Sequence, residues 1–238
     1  MSRRPWNPAM TWAFKSLNRV TSFVPPPPSS TLDRVLVVQV HPYGKGPSFT
    51  SALGSAVCDS LETAGHEVRV RNLYDEGFDP VIKEVEFRRY LSAYRESKLS
   101  KDIADHIRDL QWCSGLVLVY PTWWYSFPAI LKGWCDRTFL PGVAFDLAKG
   151  QERTNLYTGF ISRLTNITKV GVVTTFGNGF WNVRYVGDPG RRIVSKGMRP
   201  LFHPECTVLW KGLYNVEARP QTDRENFLRE VSDAFKTF

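Results

Sequence analysis

The chain contains 238 residues, carries a formal net charge of +8 at pH 7 and has a hydrophobic fraction of 42%. This length and composition predict one large domain with a substantial core, and no apolar run is long enough to cross a bilayer. The four cysteines are scattered and form no C-x-x-C pair, which argues against a zinc site or a dithiol redox centre.

The charge and the cysteines also indicate which binding partners and which cellular compartment to expect. No nucleic-acid-binding motif accompanies the basic residues, so we expect no nucleic-acid partner. Cys58, Cys113 and Cys135 lie in apolar sequence, which favours reduced thiols in a reducing compartment. We therefore expect a cytoplasmic protein without an integral membrane segment.

Residues 1–30 differ from the rest of the chain. They are basic, contain no acidic residue and carry the proline run 25–28 near their end, which predicts a stiff, extended linker. We expect a basic, proline-rich N-terminal arm that packs on the domain or on a partner subunit, with the domain itself spanning 31–238. An acid-free, Arg-bearing leader is also typical of organellar transit peptides, so organellar targeting is the alternative.

Apolar patterning predicts that strands and helices alternate along the domain. Residues 35–40 predict a buried strand, residues 48–64 an amphipathic helix, and residues 67–71 a second strand. Further strands are predicted at 116–120, 169–173 and 206–210, and further helices at 101–112, after Pro128, at 191–198 and at 223–238, with a partly helical segment at 81–97. This alternation predicts an α/β fold: a doubly wound, parallel, five-stranded sheet with helices on both faces.

An aromatic loop follows the most apolar of these strands. Residues 116–120 form a continuous apolar run, typical of a strand buried on both faces. Pro121 ends this strand, and the segment 122–127 contains two tryptophans, a tyrosine and a phenylalanine. Ligands of open parallel sheets bind beyond the carboxyl ends of the strands. The loop therefore suits a flat conjugated ring such as an isoalloxazine or a quinone, although the aromatics could instead belong to the core.

Three loops, 41–50, 121–127 and 174–179, leave the carboxyl ends of predicted strands and should converge on one ligand. In the first loop, glycines allow close approach of the backbone, and Ser48 and Thr50 precede or begin a helix whose N-terminus attracts phosphate. Its spacing matches neither a Walker P-loop nor a Rossmann fingerprint, and Ser48 could simply cap the helix. In the third loop, Thr174, Thr175 and Gly177 suit the polar edge of a flavin, although a plain strand-ending turn would look similar.

Four segments of the chain together resemble the NAD(P)H:quinone oxidoreductase (DT-diaphorase) family and its bacterial relatives. They are His41-Pro42, Ser48-Phe49-Thr50, Leu73-Tyr74 with Phe78-Asp79-Pro80, and the block 121–137. The resemblance covers residues 34–213 and implies a flavodoxin-like fold with tightly bound FAD in a homodimer. It also implies ping-pong hydride transfer from NAD(P)H to the flavin and then to a quinone-like acceptor.

The resemblance assigns site residues by their motifs. The groups are His41, Ser48, Phe49 and Thr50 for the phosphates and ribityl chain; Pro121, Thr122, Trp123, Trp124 and Tyr125 for the isoalloxazine; and Thr174, Thr175, Phe176 and Gly177 for its pyrimidine edge. In the family, a tyrosine and a histidine beyond the third loop assist hydride transfer. An ungapped count places Asn182 and Asp188 at those positions, which leaves Tyr185 and Arg184 as the candidate catalytic residues.

Two further departures keep alternatives open. Phe176 replaces a glycine of the family loop, which adds bulk near the flavin edge. The segment 80–100, which in the family helps to bind the adenine half of FAD, is shorter here, so FMN is the alternative cofactor to FAD. Arg184, Arg191 and Arg192 could bind the 2′-phosphate of NADPH, but the sequence does not separate NADH from NADPH. The alternative function is a flavin-binding regulatory subunit of a potassium-efflux-type transporter with little turnover.

Overall fold

The computed structural model describes residues 33–44, 46–88, 90, 99–147 and 159–238, together with the backbone of 19–22. The strands are β1 (Arg19–Ser22), β2 (Arg34–Gln39), β3 (Glu67–Asn72), β4 (Gly115–Pro121), β5 (Phe145–Leu147), β6 (Phe160–Ser162), β7 (Lys169–Phe176) and β8 (Thr207–Tyr214). The helices are α1 (Phe49–Thr63), α2 (Glu84–Phe87), α3 (Lys101–Trp112), α4 (Ala129–Thr138), α5 (Phe180–Val186), α6 (Pro189–Arg192) and α7 (Gln221–Phe235). A π-helical segment occupies Ile193–Met198, and 3-10 turns occupy Arg199–Leu201 and Val216–Ala218.

The main sheet confirms the expected doubly wound topology. Its parallel strands run in the order β3-β2-β4-β7-β8. The strand order reverses between β2 and β4, which is where ligands bind in such sheets. β1 comes from the expected arm and adds a short antiparallel strand along the outer edge of β8. β5 and β6 form a separate antiparallel pair.

Helices cover both faces of the sheet, as the periodicity predicts. On one face, Leu53, Val57 and Leu61 of α1 join the apolar side of α7 in a core cluster. On the other face, α3 and α4 contribute to a larger cluster that includes Trp134. β4 and β7 lie between the two layers and are buried along nearly their whole length, which explains their uninterrupted apolar sequence.

Three predicted boundaries need correction. β8 runs from Thr207 to Tyr214 rather than ending at 210, because its last four residues continue the parallel pairing with β7. β7 extends to Phe176 rather than ending at 173, because Thr174 and Thr175 continue the parallel pairing with β8. The helix expected at 191–198 begins at Pro189, since proline suits the first helical position, and its second half is π-helical. In the segment expected to be partly helical, 81–97, α2 occupies Glu84–Phe87, and residues 89 and 91–97 lie outside the described residues.

The described residues contain neither a helix that is long and apolar enough to span a membrane nor a cluster of three or more potential metal-ligating side chains. All four cysteines are free thiols. Burial raises the pKa of Cys113, Cys135 and Cys206 to about 12, and burial together with nearby acids raises that of Cys58 to about 11. These thiols are therefore protonated at neutral pH.

The packing of α4 against the segment after β3 requires a glycine. A Cβ at Gly133 would clash with the carbonyl oxygen and Cα of Pro80, which are backbone atoms that cannot rotate away. This close approach positions α4, and with it the aromatic turn that precedes the helix.

We therefore expect Gly133→Ala to destabilise the protein by about 2 kcal/mol, because the overpacking exceeds the gain in helix propensity. Urea unfolding would measure the change. Gly197→Ala is the matched control, since nothing lies within 4 Å of a Cβ at that position. Equal stability of the two variants would contradict the close approach.

A buried histidine of α3, His106, contacts both α4 and the loop after β3. The Trp134 indole Nε1 donates to His106 Nδ1 at 3.3 Å, and His106 Nε2 lies 3.4 Å from Glu76 Oε2. Burial and the nearby Arg71 lower the pKa of His106 to about 4. His106 is therefore neutral in the folded protein at neutral pH.

Folding stability should fall as the pH is lowered from 6.5 to 4, the two pKa values of this imidazole in the unfolded and folded states. In that pH range the unfolded chain binds a proton that the folded protein excludes. The free energy of unfolding should therefore fall by an amount on the order of 3 kcal/mol. Urea unfolding at several pH values measures the slope. His106→Gln keeps an acceptor for Trp134 and should flatten the dependence of the unfolding free energy on pH. An unchanged slope in this variant would mean that other groups cause the dependence.

Candidate functional site

The candidate site is a cleft of about 510 Å³ at the carboxyl edge of the parallel sheet. It lies where β2, β4 and β7 end, next to the reversal of strand order. The lining residues are His41, Pro42, Tyr43, Pro121, Thr122, Trp123, Thr175, Gly177, Asn178, Val216 and Glu217. The three predicted loops thus contribute to one cleft, and a fourth segment after β8 joins them.

The floor of the cleft is held by pairing between the ends of β4 and β7. Pro121 is paired with Thr175 in the parallel register, and the Thr122 N–H donates to the Thr175 carbonyl at 2.8 Å. The hydroxyls of Thr122 and Thr174 lie 2.8 Å apart and share a hydrogen bond. These contacts fix the second and third segments side by side.

The aromatic loop is a tight two-residue turn. Trp123 and Ser126 exchange two backbone hydrogen bonds, at 3.1 and 3.0 Å, and the central residues Trp124 and Tyr125 have φ values of 47° and 63°. Positive φ at both central positions is typical of type I′ turns, which favour Asn and Gly. Two aromatic residues here store backbone strain of order 1–3 kcal/mol each, as is common at functional sites.

The turn divides the aromatic residues between core and solvent. Trp124 is 92% exposed and Trp123 is 55% exposed. Tyr125 packs partly against the core, and Phe127 is buried and contacts Tyr120 edge-on. The core alternative thus holds for Phe127, whereas the tryptophans are free to contact a ligand.

The loop after β2 presents His41 to the cleft. The His41 Nδ1 accepts a hydrogen bond from the Tyr43 N–H at 3.2 Å, and partial burial lowers the pKa of His41. A neutral imidazole with Nδ1 occupied can donate from Nε2. At the end of the loop Ser48 caps α1, with its hydroxyl 3.0 Å from the Ser51 N–H. Ser48 therefore has the capping role that the sequence left open.

A second groove, of about 530 Å³, adjoins this end of α1. Ser48 and Phe49 line it, whereas the Thr50 side chain is buried within the helix packing. Arg224 of α7 also lines the groove, and its Nε atom is buried without a hydrogen-bond partner. A helix N-terminus beside a guanidinium with a free donor fits an anionic group such as a phosphate.

The end of β7 differs from the expected loop. Thr174, Thr175 and Phe176 are buried strand residues, and the Phe176 ring stacks on Tyr214 with 4.4 Å between centroids. The bulk that Phe176 adds therefore lies in the core rather than in the cleft. Gly177 does reach the cleft, where a Cβ on it would lie 3.3 Å from the Glu217 carboxylate.

The two candidate catalytic residues lie on α5, away from the cleft lining. Tyr185 is 93% exposed, and Arg184 is also exposed. Asn182 is exposed as well, but Asp188 is 3% exposed and points inward. The structure thus does not bring Tyr185 and Arg184 into the cleft, and a catalytic role for them stays a prediction.

The residues that sequence reasoning missed come from segments distant along the chain. Glu217 reaches the cleft because Asn215, in a left-handed conformation, turns the chain after β8 and donates its N–H to the Asn178 carbonyl. Arg224 reaches the groove because α7 packs beside α1. Asn215 and the acid two residues later follow the strand predicted at 206–210, and this pattern was the available signal for Glu217. No local pattern in the sequence indicated Arg224.

Comparison with known proteins agrees with this architecture. A family model described as flavodoxin-like fold matches residues 33–193. The chain belongs to this flavodoxin-like family.

The most similar relatives include redox enzymes. The chain is 34% identical over 132 residues to NAD(P)H dehydrogenase (quinone) 1 of Cavia porcellus, an alignment that covers 50% of this chain and 47% of that protein. It is 32% identical over 127 residues to ribosyldihydronicotinamide dehydrogenase (quinone) of Homo sapiens, covering 48% and 54%. The chain spans about half the length of the curated relatives it matches.

Solved structures share the fold over more of the chain. An NAD(P)H:quinone oxidoreductase from Methanothermobacter marburgensis superposes with a TM-score of 0.70 at 22% identity, covering 87% of this chain and 96% of that one. An FMN-dependent NADH-azoreductase from Bacillus anthracis, solved with FMN, has a TM-score of 0.65 at 15% identity, covering 86% and 98%. These similarities establish the flavodoxin-like fold.

The strained turn provides a direct test of the site geometry. Trp124→Gly and Trp124→Ala both remove the exposed indole, but only glycine also removes the Cβ that disfavours positive φ. We expect the glycine variant to be more stable than the alanine variant by about 1 kcal/mol in urea unfolding. Equal stabilities would show that the turn does not hold Trp124 at positive φ.

Proposed function

We propose that this protein is a flavin-dependent NAD(P)H:quinone oxidoreductase. The observation that carries the proposal is the cleft at the strand-order reversal, which combines the exposed Trp123 with backbone and hydroxyl groups from the ends of β4 and β7. Trp124 and Tyr125 follow Trp123 in the turn but do not line the cleft. Such a lining suits a flat ring with one polar edge. The names of the relatives that match half of the chain support the same chemistry.

A bound flavin would supply the redox chemistry, accepting a hydride from NAD(P)H and passing it to a quinone in ping-pong order. The protein's own groups would bind and orient. Trp123 and Trp124 offer aromatic faces to the ring or to the acceptor, and Thr122 and Gly177 present polar groups to its pyrimidine edge. His41 would donate from Nε2, because its Nδ1 is already occupied.

The groove beside α1 favours FAD over FMN. Its lining begins at Gly46, three residues after Tyr43 of the cleft, and we propose that one extended ligand occupies both. Arg224 and the start of α1 would bind the phosphates there. FMN, which carries one phosphate, is the alternative and would leave part of the groove open.

A second copy of this chain is the partner that we propose. Tyr43 and Trp123 expose large aromatic surfaces in the cleft, Trp124 does so next to it, and Trp181 and Tyr185 do so on α5. Covering them in a homodimer would remove this surface from water and would enclose the cleft. The acceptor is then a quinone or a similar flat ring that stacks on the remaining aromatic faces, and the compartment we propose is the cytoplasm.

The test is a visible absorption spectrum after incubation with FAD or FMN and desalting, followed by NADPH or NADH and then by a quinone. We expect retained flavin, bleaching by the reduced nicotinamide and recovery of colour with the quinone. Retained flavin that neither nicotinamide bleaches would contradict the reductase and would favour the regulatory-subunit alternative. Absence of retained flavin would contradict both.

The phosphate-binding role of Arg224 has its own test. Arg224→Gln should weaken FAD binding about tenfold or more, since it removes a charge-assisted hydrogen bond. Arg229→Gln is the matched control on the same helix, because Arg229 is exposed and bonds only locally to Asn226. Flavin fluorescence titration measures both. Equal affinities of the two variants would place the phosphates elsewhere.

A further inference from the structure

Three arginines of α5 and α6 form no ion pair with any other residue that the structure describes. They are Arg184 in the last turn of α5, and Arg191 and Arg192 in the last turn of α6. Arg184 and Arg192 are exposed, and Arg191 is partly exposed. Many other arginines are paired with carboxylates: Arg69 and Arg71 with Asp109, Arg137 with Glu86, Arg163 with Asp146, and Arg219 with Asp223. The three therefore need a separate explanation.

The turn between α5 and α6 brings these three side chains together. Gly187 has a φ of 93° there, and its N–H donates to the Arg184 carbonyl at 3.0 Å. The Arg192 guanidinium reaches back to the same turn, since its Nη1 atom lies 3.7 Å from a Cβ built on Gly187. We call Arg184, Arg191 and Arg192 the arginine cluster.

The one acid in this turn, Asp188, does not account for the arginine cluster. Its side chain is 3% exposed, and its Oδ1 atom has no hydrogen-bond partner within the described part of the chain. Desolvation raises the pKa of Asp188, while the three arginines lower it. Even a fully ionised Asp188 would balance one positive charge of the three. At least two guanidinium charges therefore remain for an external anion.

The arginine cluster lies close to the cleft, because α6 packs on the aromatic turn. The Gly190 N–H donates to the Tyr125 carbonyl at 3.2 Å, and a Cβ on Gly190 would lie 3.6 Å from the Ser126 Cα. Trp123, two residues before Tyr125, lines the cleft. Consecutive Cα atoms are about 3.8 Å apart, so the start of α6 lies within about 15 Å of Trp123. A ligand that extends out of the cleft over the turn can reach the arginine cluster.

The chemistry of the arginine cluster suits a phosphate at the outer end of such a ligand. Guanidinium groups form bidentate, charge-assisted hydrogen bonds with phosphate oxygens. NADPH carries a phosphate on its adenosine ribose, at the end remote from the nicotinamide, and NADH does not. The relatives' names carry different reductants: NAD(P)H in one, and ribosyldihydronicotinamide, which has no adenosine, in another. The arginine cluster supplies a physical reason to choose among these reductants.

We propose that the arginine cluster binds the 2′-phosphate of NADPH and makes NADPH the preferred reductant of this protein. This inference rests on the proposed function, in which the nicotinamide enters the cleft to reduce the flavin. The pyrophosphate of the dinucleotide is common to NADH and NADPH, so only the 2′-phosphate can separate them. Because that phosphate is remote from the nicotinamide, the arginine cluster strengthens binding without taking part in hydride transfer.

The first test compares kcat/KM for NADPH and for NADH in the flavin-loaded protein, with a quinone as the acceptor. We expect NADPH to be preferred about tenfold or more, because a hydrogen bond to a charged group typically contributes a factor of this order. The double variant Arg191→Gln/Arg192→Gln should remove the preference. The change should appear in the KM for NADPH rather than in kcat, as is typical of binding that is equal in the ground state and the transition state.

Arg229→Gln is the matched control for the double variant. Arg229 is an exposed arginine of α7 that bonds locally to Asn226, so its substitution also removes surface charge while the arginine cluster stays intact. The preference for NADPH should be unchanged in this variant. An equal loss of preference in the control and in the double variant would contradict a specific site and would assign the preference to the overall charge of the protein.

The second test needs no turnover. Isothermal titration calorimetry should show that adenosine 2′,5′-bisphosphate binds about tenfold or more tightly than adenosine 5′-monophosphate, for the same reason. The double variant should abolish this difference. Inorganic phosphate should bind more weakly than the bisphosphate. Equal affinities for inorganic phosphate and the bisphosphate would mean that the arginine cluster attracts any anion, which would overturn the inference.

The outcomes separate this inference from the proposed function. A reductase that uses NADPH and NADH equally well, or that prefers ribosyldihydronicotinamide to both, would refute the role of the arginine cluster and would leave the proposed function intact. A flavin-loaded protein that reduces no quinone with any of the three reductants would refute the proposed function. In that case the calorimetric comparison still decides whether the arginine cluster binds a 2′-phosphate.

Discussion

The parallel pairing of β4 with β7 determines where every part of the candidate site lies. At the ends of these strands Tyr120 is opposite Thr174 and Pro121 is opposite Thr175, so the aromatic turn and the chain after β7 emerge side by side. Both strands are buried between helical layers and cannot slip by one residue without turning their side chains to the opposite face. The register that completes the core therefore also aligns the cleft and the turn.

Strain and exposure are concentrated at the same edge of the sheet. Trp124, Tyr125, Asp188 and Asn215 all have positive φ, and each lies in a segment that borders the cleft or packs against one that does. The well-packed sheet below supplies the stability that maintains these conformations. Large aromatic side chains remain in water there, which a protein selected only for stability would avoid.

The fold and much of the site could be predicted from the sequence, for definite physical reasons. Buried parallel strands are continuous apolar runs, so residues 116–120 indicated β4 directly, and helices beside them have a clear apolar stripe. Phe176 was harder, because whether a chain leaves the sheet at 174 or at 177 depends on the length of its neighbour β8. Glu217 and Arg224 were not predicted. The place of Glu217 depends on the left-handed turn at Asn215, for which the asparagine itself is the local signal. The place of Arg224 depends on how α7 packs beside α1, which no local pattern records.

The protonated state of the cysteines bears on the quinone reduction that we propose. Quinones are electrophiles, and thiolates add to them to give stable covalent products. The thiols of Cys113, Cys135 and Cys206 have pKa values raised to about 12 by burial, so almost none of the reactive anion exists at neutral pH. Cys113 and Cys206 are in addition buried in the core, so we expect these thiols to resist alkylation by the compounds that we propose the protein reduces.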